Sequence, residues 1–276
     1  MERDKLEYVT LRRLRRGLLT EDKLRSLGRV MSRAQMLEPE EFDPWAEAET
    51  DAGLIAPLGV GVAGARVLVV GAGPSNGLGY ALAALGAAKV VCHDAAPGFD
   101  VGEDATHLAA MTTRFPKVKF TIVGRYHHLE NFPDAGCELV VSLAGPGREP
   151  DPRALAAVFA RVLAPGGVLV HHVDCRDRFL RYPYHSLLFS QKAWKKLADP
   201  GEQDRWRLDD HLQALTGAGF DVTVPRYESD AEAFAAVADR LDAAFANRDQ
   251  GLVSVTRATL VGRLRRPEAL PGEGQG

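Results

Sequence analysis

A glycine-rich turn directly after a buried strand constrains the fold of this chain more than any other feature. The β-branched and leucine run Val67 to Val70 predicts a strand that is covered on both faces. Four glycines follow it at short spacing, namely Gly71, Gly73, Gly77 and Gly79. Glycines let the backbone pass close to a bound molecule, and a helix that starts after the turn offers free N–H groups to it. The turn is therefore a candidate ligand-binding loop.

The residues after the turn complete a βαβ unit that ends on an acid. Leu78, Leu82 and Leu85 share one helical face. Gly86 ends that helix, and a second short strand leads to Asp94. An acid at this place can accept hydrogen bonds from both hydroxyls of a ribose, which predicts an adenosine-like ligand. The predicted contacts of that ligand in the βαβ unit are Gly71, Gly73, Pro74, Asn76, Gly77, Asp94 and Ala95.

The sequence of the turn, GAGPSNG, distinguishes between two classes of nucleotide ligand. Pro74 follows the second glycine of the turn, and Asn76 stands where the dinucleotide fingerprint has its third glycine. This favours S-adenosylmethionine (SAM) over a dinucleotide. The segments VLVVGAGPSNGLG, GAAKVVCHD and ARVLAPGGVLVHHVD resemble, in order and spacing, motifs of the class I SAM-dependent methyltransferases. Another α/β domain with a glycine-rich turn is the alternative interpretation.

The resemblance covers about residues 50 to 265 and implies an α/β fold. The expected architecture is a Rossmann-like, doubly wound, seven-stranded and mostly parallel sheet with an antiparallel last strand, preceded by an N-terminal helical appendage. We divide the chain into a helical appendage or lid (1–50), a SAM-binding methyltransferase-like domain (51–265) and a disordered tail (266–276). The predicted later strands lie at 118–123, 138–143, 168–173, 220–224 and 252–264, with helices at 6–36 and 231–245 and a polar connector at 38–54.

Composition limits the partners and the compartment. The formal net charge is -3 and the pI about 6.3, so the chain as a whole has no bias toward nucleic acid or anionic membrane. The arginine run in residues 12–16 is interpreted as a solvated helix face. Three cysteines far apart indicate neither a disulfide framework nor a zinc site, and no segment approaches the ~20 apolar residues of a membrane span. We expect a small-molecule substrate, no nucleic acid, no membrane and a cytoplasmic location.

Two further strand ends are expected to contribute to the SAM site. In the resembling family the third strand usually presents an acid to the adenine, but Gly124 and then Arg125 and Tyr126 stand there in this chain. Tyr126 could stack on the adenine. Ser142 and Leu143 end the fourth strand, where ligand-facing groups gather in open parallel sheets. The Leu-Glu-His that many relatives carry in the next loop is replaced by residues 145–147, Gly-Pro-Gly.

The segment after the fifth strand, HHVDCRDRFLRYPYHSLLFSQKAW, is the richest in polar side chains. It is similar to a block in relatives from sugar and secondary-metabolite pathways, although Asp177 is followed by Arg178 where the relatives have His. Neighbours on a strand face opposite sides, so one of His171 and His172 is expected to face the core. Asp174 with Asp177 is too few acids for a metal centre, so none is predicted. The candidates for a base and for orienting hydrogen bonds are His172, Asp174, Asp177, Tyr182, Tyr184 and His185.

Three functions are compatible with these features. The first is methyl transfer from SAM to a small molecule, which suits a role in secondary metabolism. The second is the reaction of the azetidine-2-carboxylate synthases, which resemble methyltransferases: the α-amino group of SAM attacks its own γ-carbon, and methylthioadenosine leaves. The third is a SAM-binding regulator without activity. The N-terminal helices and the segment from Arg178 to Trp206 are predicted to cover the SAM pocket, with packing behind the sheet or homodimer formation as the alternatives.

Overall fold

In the computed structural model, residues 3–18, 42–94, 98–143, 151–177, 182–198 and 205–265 are described. Their strands are β1 (Arg66–Val70), β2 (Lys89–His93), β3 (Val123–Tyr126), β4 (Cys137–Ser142), β5 (Leu163–Asp174), β6 (Phe220–Ser229) and β7 (Val255–Leu264). Their helices are α1 (Arg3–Leu18), α2 (Pro44–Ile55), α3 (Gly77–Ala84), α4 (Val101–Arg114), α5 (Pro152–Val162), α6 (Gln191–Leu197), α7 (Leu208–Gly217), α8 (Ala231–Ala235), α9 (Ala243–Ala246) and α10 (Gln250–Val253).

The seven strands form one sheet in the order β3-β2-β1-β4-β5-β7-β6. Neighbours from β3 to β5 pair in parallel, whereas β7 is antiparallel to both β5 and β6. Strand order therefore reverses between β1 and β4, and in open α/β sheets such a switch point lies beside the ligand crevice. This confirms the prediction of a doubly wound, mostly parallel sheet with an antiparallel last strand.

Each face of the sheet buries its own hydrophobic core. Consecutive side chains on a strand point to opposite faces, so Val67 and Leu68 enter different cores. The first core lies between the sheet and α2, α3 and α4, and includes Ala48, Leu82 and Met111. The second lies between the sheet and α5 and α7, and includes Phe159 and Leu215. Both faces are covered, which is why the central strands read as continuous apolar runs.

A third, separate core lies beyond β5. We call it the satellite core: it joins α1 to residues 182–198 and to the segment from α8 to α10, and its members include Tyr8, Tyr184, Leu187, Trp194 and Val253. Arg207, which is 1% exposed, connects it to the sheet. The Arg207 guanidinium donates to the carbonyl oxygens of Cys175, after β5, and Val255, at the start of β7. The satellite core is therefore attached at the carboxyl end of β5.

The predicted polar connector before β1 is wrong, because α2 forms there. Asp43 caps this helix by accepting hydrogen bonds from the backbone of Trp45 and Ala46. Pro44 occupies the first turn, where its missing N–H costs nothing. The buried positions of α2 are Pro44, Ala48, Asp51 and Ile55. Ile55 is the one large aliphatic residue among these four. The sequence of α2, which is acidic and rich in alanine, therefore shows little of the apolar periodicity that predicts a helix.

The predicted third strand is displaced by several residues. Residues 120–122 form a 3-10 turn instead, and β3 runs over Val123–Tyr126. Phe120 packs against Tyr80, with ring centroids 5.9 Å apart. The run is therefore apolar because its side chains pack against the core, although the segment does not form a strand. Arg125 and Tyr126 consequently lie within the strand rather than after it.

Several boundaries near the C-terminal end were also wrong. β5 begins at Leu163, so residues 165–167 (Pro-Gly-Gly) lie in the strand, although α5 does end just before it. β6 extends to Ser229, beyond the predicted end at 224, because it pairs with β7 along its length. The predicted helix 231–245 is broken into α8, a 3-10 turn and α9, and β7 starts at Val255 because α10 precedes it.

Three earlier predictions fall on residues outside the described ranges. They are the part of the predicted helices at 6–36 that lies beyond residue 18, the contact of Ala95 with the ligand, and the tail 266–276. None of the described helices has the length and apolarity that crossing a bilayer requires.

Candidate active site at the carboxyl edge

The glycine turn, Asp94 and Leu143 meet at the carboxyl edge of the parallel strands. Gly71 follows β1 and its N–H donates to the carbonyl oxygen of His93, at the end of β2 (2.9 Å). The N–H of Leu143, after β4, donates to Val70 of β1 (2.8 Å). Three loops from adjacent strands are thereby held together at the switch point of the sheet, which is the usual position of a nucleotide in this architecture.

Gly71 cannot carry a side chain in this arrangement. Its φ is +77°, in the region that L-residues rarely adopt. A Cβ placed there would lie 2.5 Å from the carbonyl oxygen of Leu143, a backbone atom that cannot turn away. Gly73 also has a positive φ, +70°, but no atom lies within 4 Å of its would-be Cβ. A side chain at Gly71 would therefore meet both an unfavourable φ and a steric clash, whereas a side chain at Gly73 would meet the unfavourable φ alone.

Replacing Gly71 by Ala is expected to destabilise the protein more than replacing Gly73 by Ala. Both variants place an L-residue at a left-handed φ, which costs about 1–2 kcal/mol. Only the Gly71→Ala change also forces apart the loops after β1 and β4. Chemical denaturation of the two variants checks the order, and equal losses of unfolding free energy would show that the contact with Leu143 is unimportant.

The carboxylate of Asp94 fixes the glycine turn through a hydrogen bond. Its Oδ2 accepts a hydrogen bond from the Gly73 N–H at 2.6 Å, so the acid at the tip of β2 and the loop after β1 form one unit. The side chain is partly buried, which strengthens a bond to a charged acceptor. A carboxylate can accept about four hydrogen bonds, so Asp94 has the chemistry to hold the loop and ribose hydroxyls together.

Helix α4 fixes the other end of the turn through residues that the sequence analysis missed. Asp104 accepts from the backbone N–H of Asn76 (2.7 Å) and from the Tyr80 hydroxyl (2.8 Å). His107 Nδ1 lies 2.8 Å from the Ser75 hydroxyl. Asp104 and His107 are three residues apart in the first half of α4, so they share a face. That spacing was the only signal in the sequence.

Arg125 supports the turn from β3. Its guanidinium donates to the carbonyl oxygen of Gly73 and to Asn76 Oδ1 (3.1 Å), and it lies 4.8 Å from the ring centre of Phe99. The side chain therefore orients the loop, and a direct contact with the ligand stays a prediction. Tyr126, at the end of β3, is 43% exposed and has its ring 6.2 Å from Phe132. Its exposed ring is placed where a base could stack.

The other predicted cofactor contacts lie around the same edge. Ser142 is almost fully buried at the end of β4, and Leu143, one residue further, is half-buried. Pro74 is exposed at the top of the turn, whereas Asn76 and Gly77 are buried where α3 begins. The structure thus brings the turn, Asp94, Leu143 and the β3 residues together, with Ser142 as part of the floor.

The six predicted catalytic residues are divided between two places. His172 lies on β5 and faces α2, where its Nε2 is 3.0 Å from Asp51 Oδ1 and 3.3 Å from Glu47 Oε1. Its Nδ1 is 3.3 Å from the Thr259 hydroxyl of β7. His171 points to the opposite face and is 4% exposed, with Nε2 3.3 Å from His211 Nδ1. The expectation that one histidine of the pair faces a core is confirmed for His171.

The electrostatics of this cluster follow from its burial. Burial alone would lower the pKa of His172, but the hydrogen bond and charge of Asp51, with the charge of Glu47, raise it. Burial raises the pKa of Glu47, partly offset by His172, and the charge of Asp51 adds to the increase. Arg226, an exposed residue of β6, has a smaller effect on both groups. The sequence analysis missed Glu47 and Asp51 because it assigned their helix to a connector.

Asp174 also lies on the α2 face, at the end of β5. Its carboxylate accepts two hydrogen bonds from the Arg176 guanidinium, at 2.9 and 2.7 Å, and one from the Arg176 backbone N–H, at 3.1 Å, and it lies 4.0 Å from Arg257 Nε. The side chain is 8% exposed. This geometry orients Asp174 within an ion-pair group beside the carboxyl edge, and a direct catalytic role stays a prediction.

The remaining four candidates belong to the satellite core. Asp177 pairs with Arg12 of α1 at 2.8 Å. The Tyr184 hydroxyl donates a hydrogen bond to the carbonyl oxygen of Ser254 at 2.6 Å, which fixes its ring within the satellite core. The rings of Tyr182 and His185 are 4.3 Å apart, and His185 Nε2 lies 3.1 Å from Asp4 Oδ2. The structure therefore separates Asp177, Tyr182, Tyr184 and His185 from His172 and Asp174.

Comparison with known proteins agrees with this geometry. Residues 68–171 match the model of a methyltransferase domain family. No curated protein matches this sequence. Among solved structures, the chain is similar to a proposed sarcosine dimethylglycine methyltransferase from Galdieria sulphuraria, with 17% identity, 88% of this chain and 98% of that chain covered, and a TM-score of 0.51. It is also similar to the YcgJ protein from Bacillus subtilis, with 15% identity, 79% and 100% coverage, and a TM-score of 0.50.

The matched domain spans the part of the chain that builds the site. It begins inside β1 and ends inside β5, so it contains the glycine turn, Asp94 and Leu143. The two solved structures support the fold over the larger part of the chain. The sheet order, the glycine turn and the match of residues 68–171 to a methyltransferase domain family together make this part of the chain similar to the SAM-dependent methyltransferases.

Proposed function

We propose that the protein transfers the methyl group of SAM to a small-molecule acceptor, in a pathway of secondary metabolism. The observation that carries this proposal is the unit formed by Asp94 and the Gly73 N–H at the carboxyl edge of β1 and β2. It combines a turn in which Gly71 and Gly73 carry no side chain with an acceptor for ribose hydroxyls.

The proposed position of SAM follows from the chemistry of the residues around that unit. Asp94 accepts from the ribose, and the exposed ring of Tyr126 stacks on the adenine, in place of the acid that many relatives use. The turn from Gly71 to Gly77 passes along the amino acid portion of SAM. Arg125 and Asp104 keep the turn in this shape through their bonds to Gly73 and Asn76.

Bound SAM supplies a methyl carbon that is made electrophilic by the positive sulfur. The protein has to align that carbon with the acceptor atom and exclude water, so positioning accounts for most of the catalysis. The satellite core lies beyond β5 at the same edge, and α1 is part of it. We propose that α1 and residues 182–198, which pack on each other in the satellite core, form one cover beside the acceptor site.

A small acceptor suits the mixture of charges at this edge. Asp174 is paired with Arg176 and lies beside Arg257, so neither sign of charge dominates there. The formal net charge of the whole chain is -3. A protein that binds nucleic acid needs a clustered basic surface to neutralise phosphates, and a slightly acidic chain favours a small acceptor instead.

Product analysis tests the proposed function. The protein is incubated with SAM alone, and then with SAM and pools of small amines, phenols and hydroxy acids, and nucleoside products are separated by mass spectrometry. We expect S-adenosylhomocysteine only when a suitable pool is present, together with an acceptor that has gained one methyl group. Formation of methylthioadenosine from SAM alone would show that the protein catalyses cyclisation of SAM instead of methyl transfer. Binding of SAM without any product in every pool would support a regulator.

A further inference from the structure

Three potential metal ligands from two rigid elements converge on the α2 face of the sheet. Glu47 and Asp51 are one helical turn apart on α2, and His172 faces them from β5. We propose that Glu47, Asp51 and His172 bind a divalent transition-metal ion. The expectation of no metal site rested on Asp174 and Asp177, which do not converge, and it did not consider α2.

The separations of the ligand atoms fit a single ion. One ligand atom from each of the three residues lies within 4.8 Å of the other two. His172 Nε2 is 3.0 Å from Asp51 Oδ1 and 3.3 Å from Glu47 Oε1. Metal–ligand bonds of about 2.0–2.2 Å, at angles of about 90–110°, place neighbouring ligand atoms about 2.8–3.6 Å apart. Both distances from His172 Nε2 fall in that interval.

The ring orientation of His172 also suits metal binding. When the Thr259 hydroxyl accepts a hydrogen bond from Nδ1–H, the Nε2 lone pair points at the carboxylates of Asp51 and Glu47. Metal-binding histidines are oriented in this way by a partner on the other ring nitrogen. Both ring nitrogens are then engaged, so His172 is better placed to hold a cation than to take a proton from an acceptor molecule.

The charge of the cluster leaves a place for a cation. Two carboxylates face one imidazole, and the Asp51 side chain is only 2% exposed. Buried carboxylates require a compensating charge, because water cannot supply it. Arg226 supplies part of it from the exposed surface of β6, but it makes no described hydrogen bond or ion pair with either acid. A divalent ion bound at Nε2 would compensate both acids directly.

The ligand set indicates the class of metal. One imidazole and two carboxylates suit Mn²⁺, Fe²⁺, Co²⁺ or Zn²⁺, whereas Mg²⁺ prefers oxygen ligands alone. Glu47 is 29% exposed and His172 17% exposed, so an ion can enter from the rim of the cluster. The bound ion would join α2 to β5 and leave coordination positions for water or for an oxygen of another molecule.

Metal binding to the whole protein tests the proposal without reference to activity. Tag-free protein is treated with a chelator, dialysed, and titrated separately with Zn²⁺, Mn²⁺ and Mg²⁺ by calorimetry, and Co²⁺ is followed by visible absorption. We expect one equivalent of Zn²⁺ or Mn²⁺ to bind and to raise the melting temperature, Mg²⁺ to bind at least about tenfold more weakly, and Co²⁺ to give ligand-field bands.

Matched variants make the result specific to the cluster. Glu47→Gln removes a partly exposed ligand, and Glu49→Gln makes the same change on the exposed side of the same helix. We expect at least about tenfold weaker binding for Glu47→Gln and His172→Ala, and unchanged binding for Glu49→Gln. If His172→Ala does not fold, the metal affinity of Glu47→Gln alone decides the test. Absence of a one-equivalent site in the parent protein, or equal affinity in Glu47→Gln and the parent, would overturn the proposal and leave an ion-pair cluster.

Discussion

Replacing Asp177 by Asn is expected to lower the free energy of unfolding by about 3–5 kcal/mol, the usual cost of breaking a buried ion pair. The side chains of Asp177 and Arg12 are 1% and 3% exposed, and their charged atoms lie 2.8 Å apart. Asn has nearly the same shape but no charge. The guanidinium of Arg12, which is buried in the satellite core, would then lose the charge of Asp177.

The partners of the pair explain why the loss should be large. Asp177 also accepts hydrogen bonds from the Tyr8 hydroxyl and from the Ser186 N–H (3.0 Å). Arg12 lies 4.6 Å from the ring centre of Trp194 and donates to the Tyr8 hydroxyl at 2.7 Å. Burial, and then the charge of Asp177, raise the pKa of Tyr8 well above its usual value, so the hydroxyl stays a donor. One carboxylate therefore organises two segments of the chain.

Denaturant unfolding of three variants measures this effect. Asp134→Asn is the control, because it removes a carboxylate that is 79% exposed from its pair with Arg161, and it should cost no more than about 1 kcal/mol. The double variant Arg12→Met, Asp177→Asn should lose less than the sum of its single variants, because no unpaired charge is left. A loss from Asp177→Asn as small as that from Asp134→Asn would show that α1 does not depend on the pair.

Replacing Asp94 by Ala is expected to weaken SAM binding by about 1.5–3 kcal/mol, the range for hydrogen bonds to a charged group. At 1.4 kcal/mol for each factor of ten, this corresponds to about 10- to 150-fold in the dissociation constant. The change removes the proposed acceptor for the ribose. It also removes the bond from the Gly73 N–H, which holds the turn in its binding shape.

The contribution of the ribose can be separated from that of the loop. Calorimetry with S-adenosylhomocysteine and with its 2'-deoxy analogue gives the two affinities for the parent and for Asp94→Ala. The deoxy analogue should lose affinity for the parent but little for the variant, because the acceptor is already gone. Asp221→Ala, at an acid 76% exposed on β6, is the control and should bind like the parent. Equal affinity of the parent and Asp94→Ala would contradict the assignment of Asp94.

Local patterns in the sequence were sufficient to predict the strand, the turn and the acid that meet at the carboxyl edge. The strand Val67 to Val70, the turn from Gly71 and the acid at Asp94 lie within one short βαβ unit, whose spacing constrains their arrangement. The prediction of the sheet followed from the same logic, since apolar runs separated by helical patterns indicate a parallel sheet. Boundaries failed where an apolar run packed without being a strand, as at Phe120.

Contacts between distant segments could not be predicted. Arg12 and Asp177 are 165 residues apart, and Asp51 and His172 are 121 apart. No periodicity in a single sequence reports such a pairing, because each residue taken alone reads as a solvated charge. For the same reason Asp177 was assigned to catalysis from its place in a polar segment, whereas its carboxylate contacts Tyr8 and Arg12 of α1 as well as the nearby Ser186 N–H.

Parallel titration of the parent protein with S-adenosylhomocysteine and with NADH tests the central claim most directly. Both ligands carry an adenosine that the turn and Asp94 could accept, but Pro74 and Asn76 depart from the glycine pattern that a pyrophosphate requires. The account predicts saturable binding of S-adenosylhomocysteine at one molecule per chain and no binding of NADH at the same concentrations. Saturable binding of NADH, with none of S-adenosylhomocysteine, would contradict it.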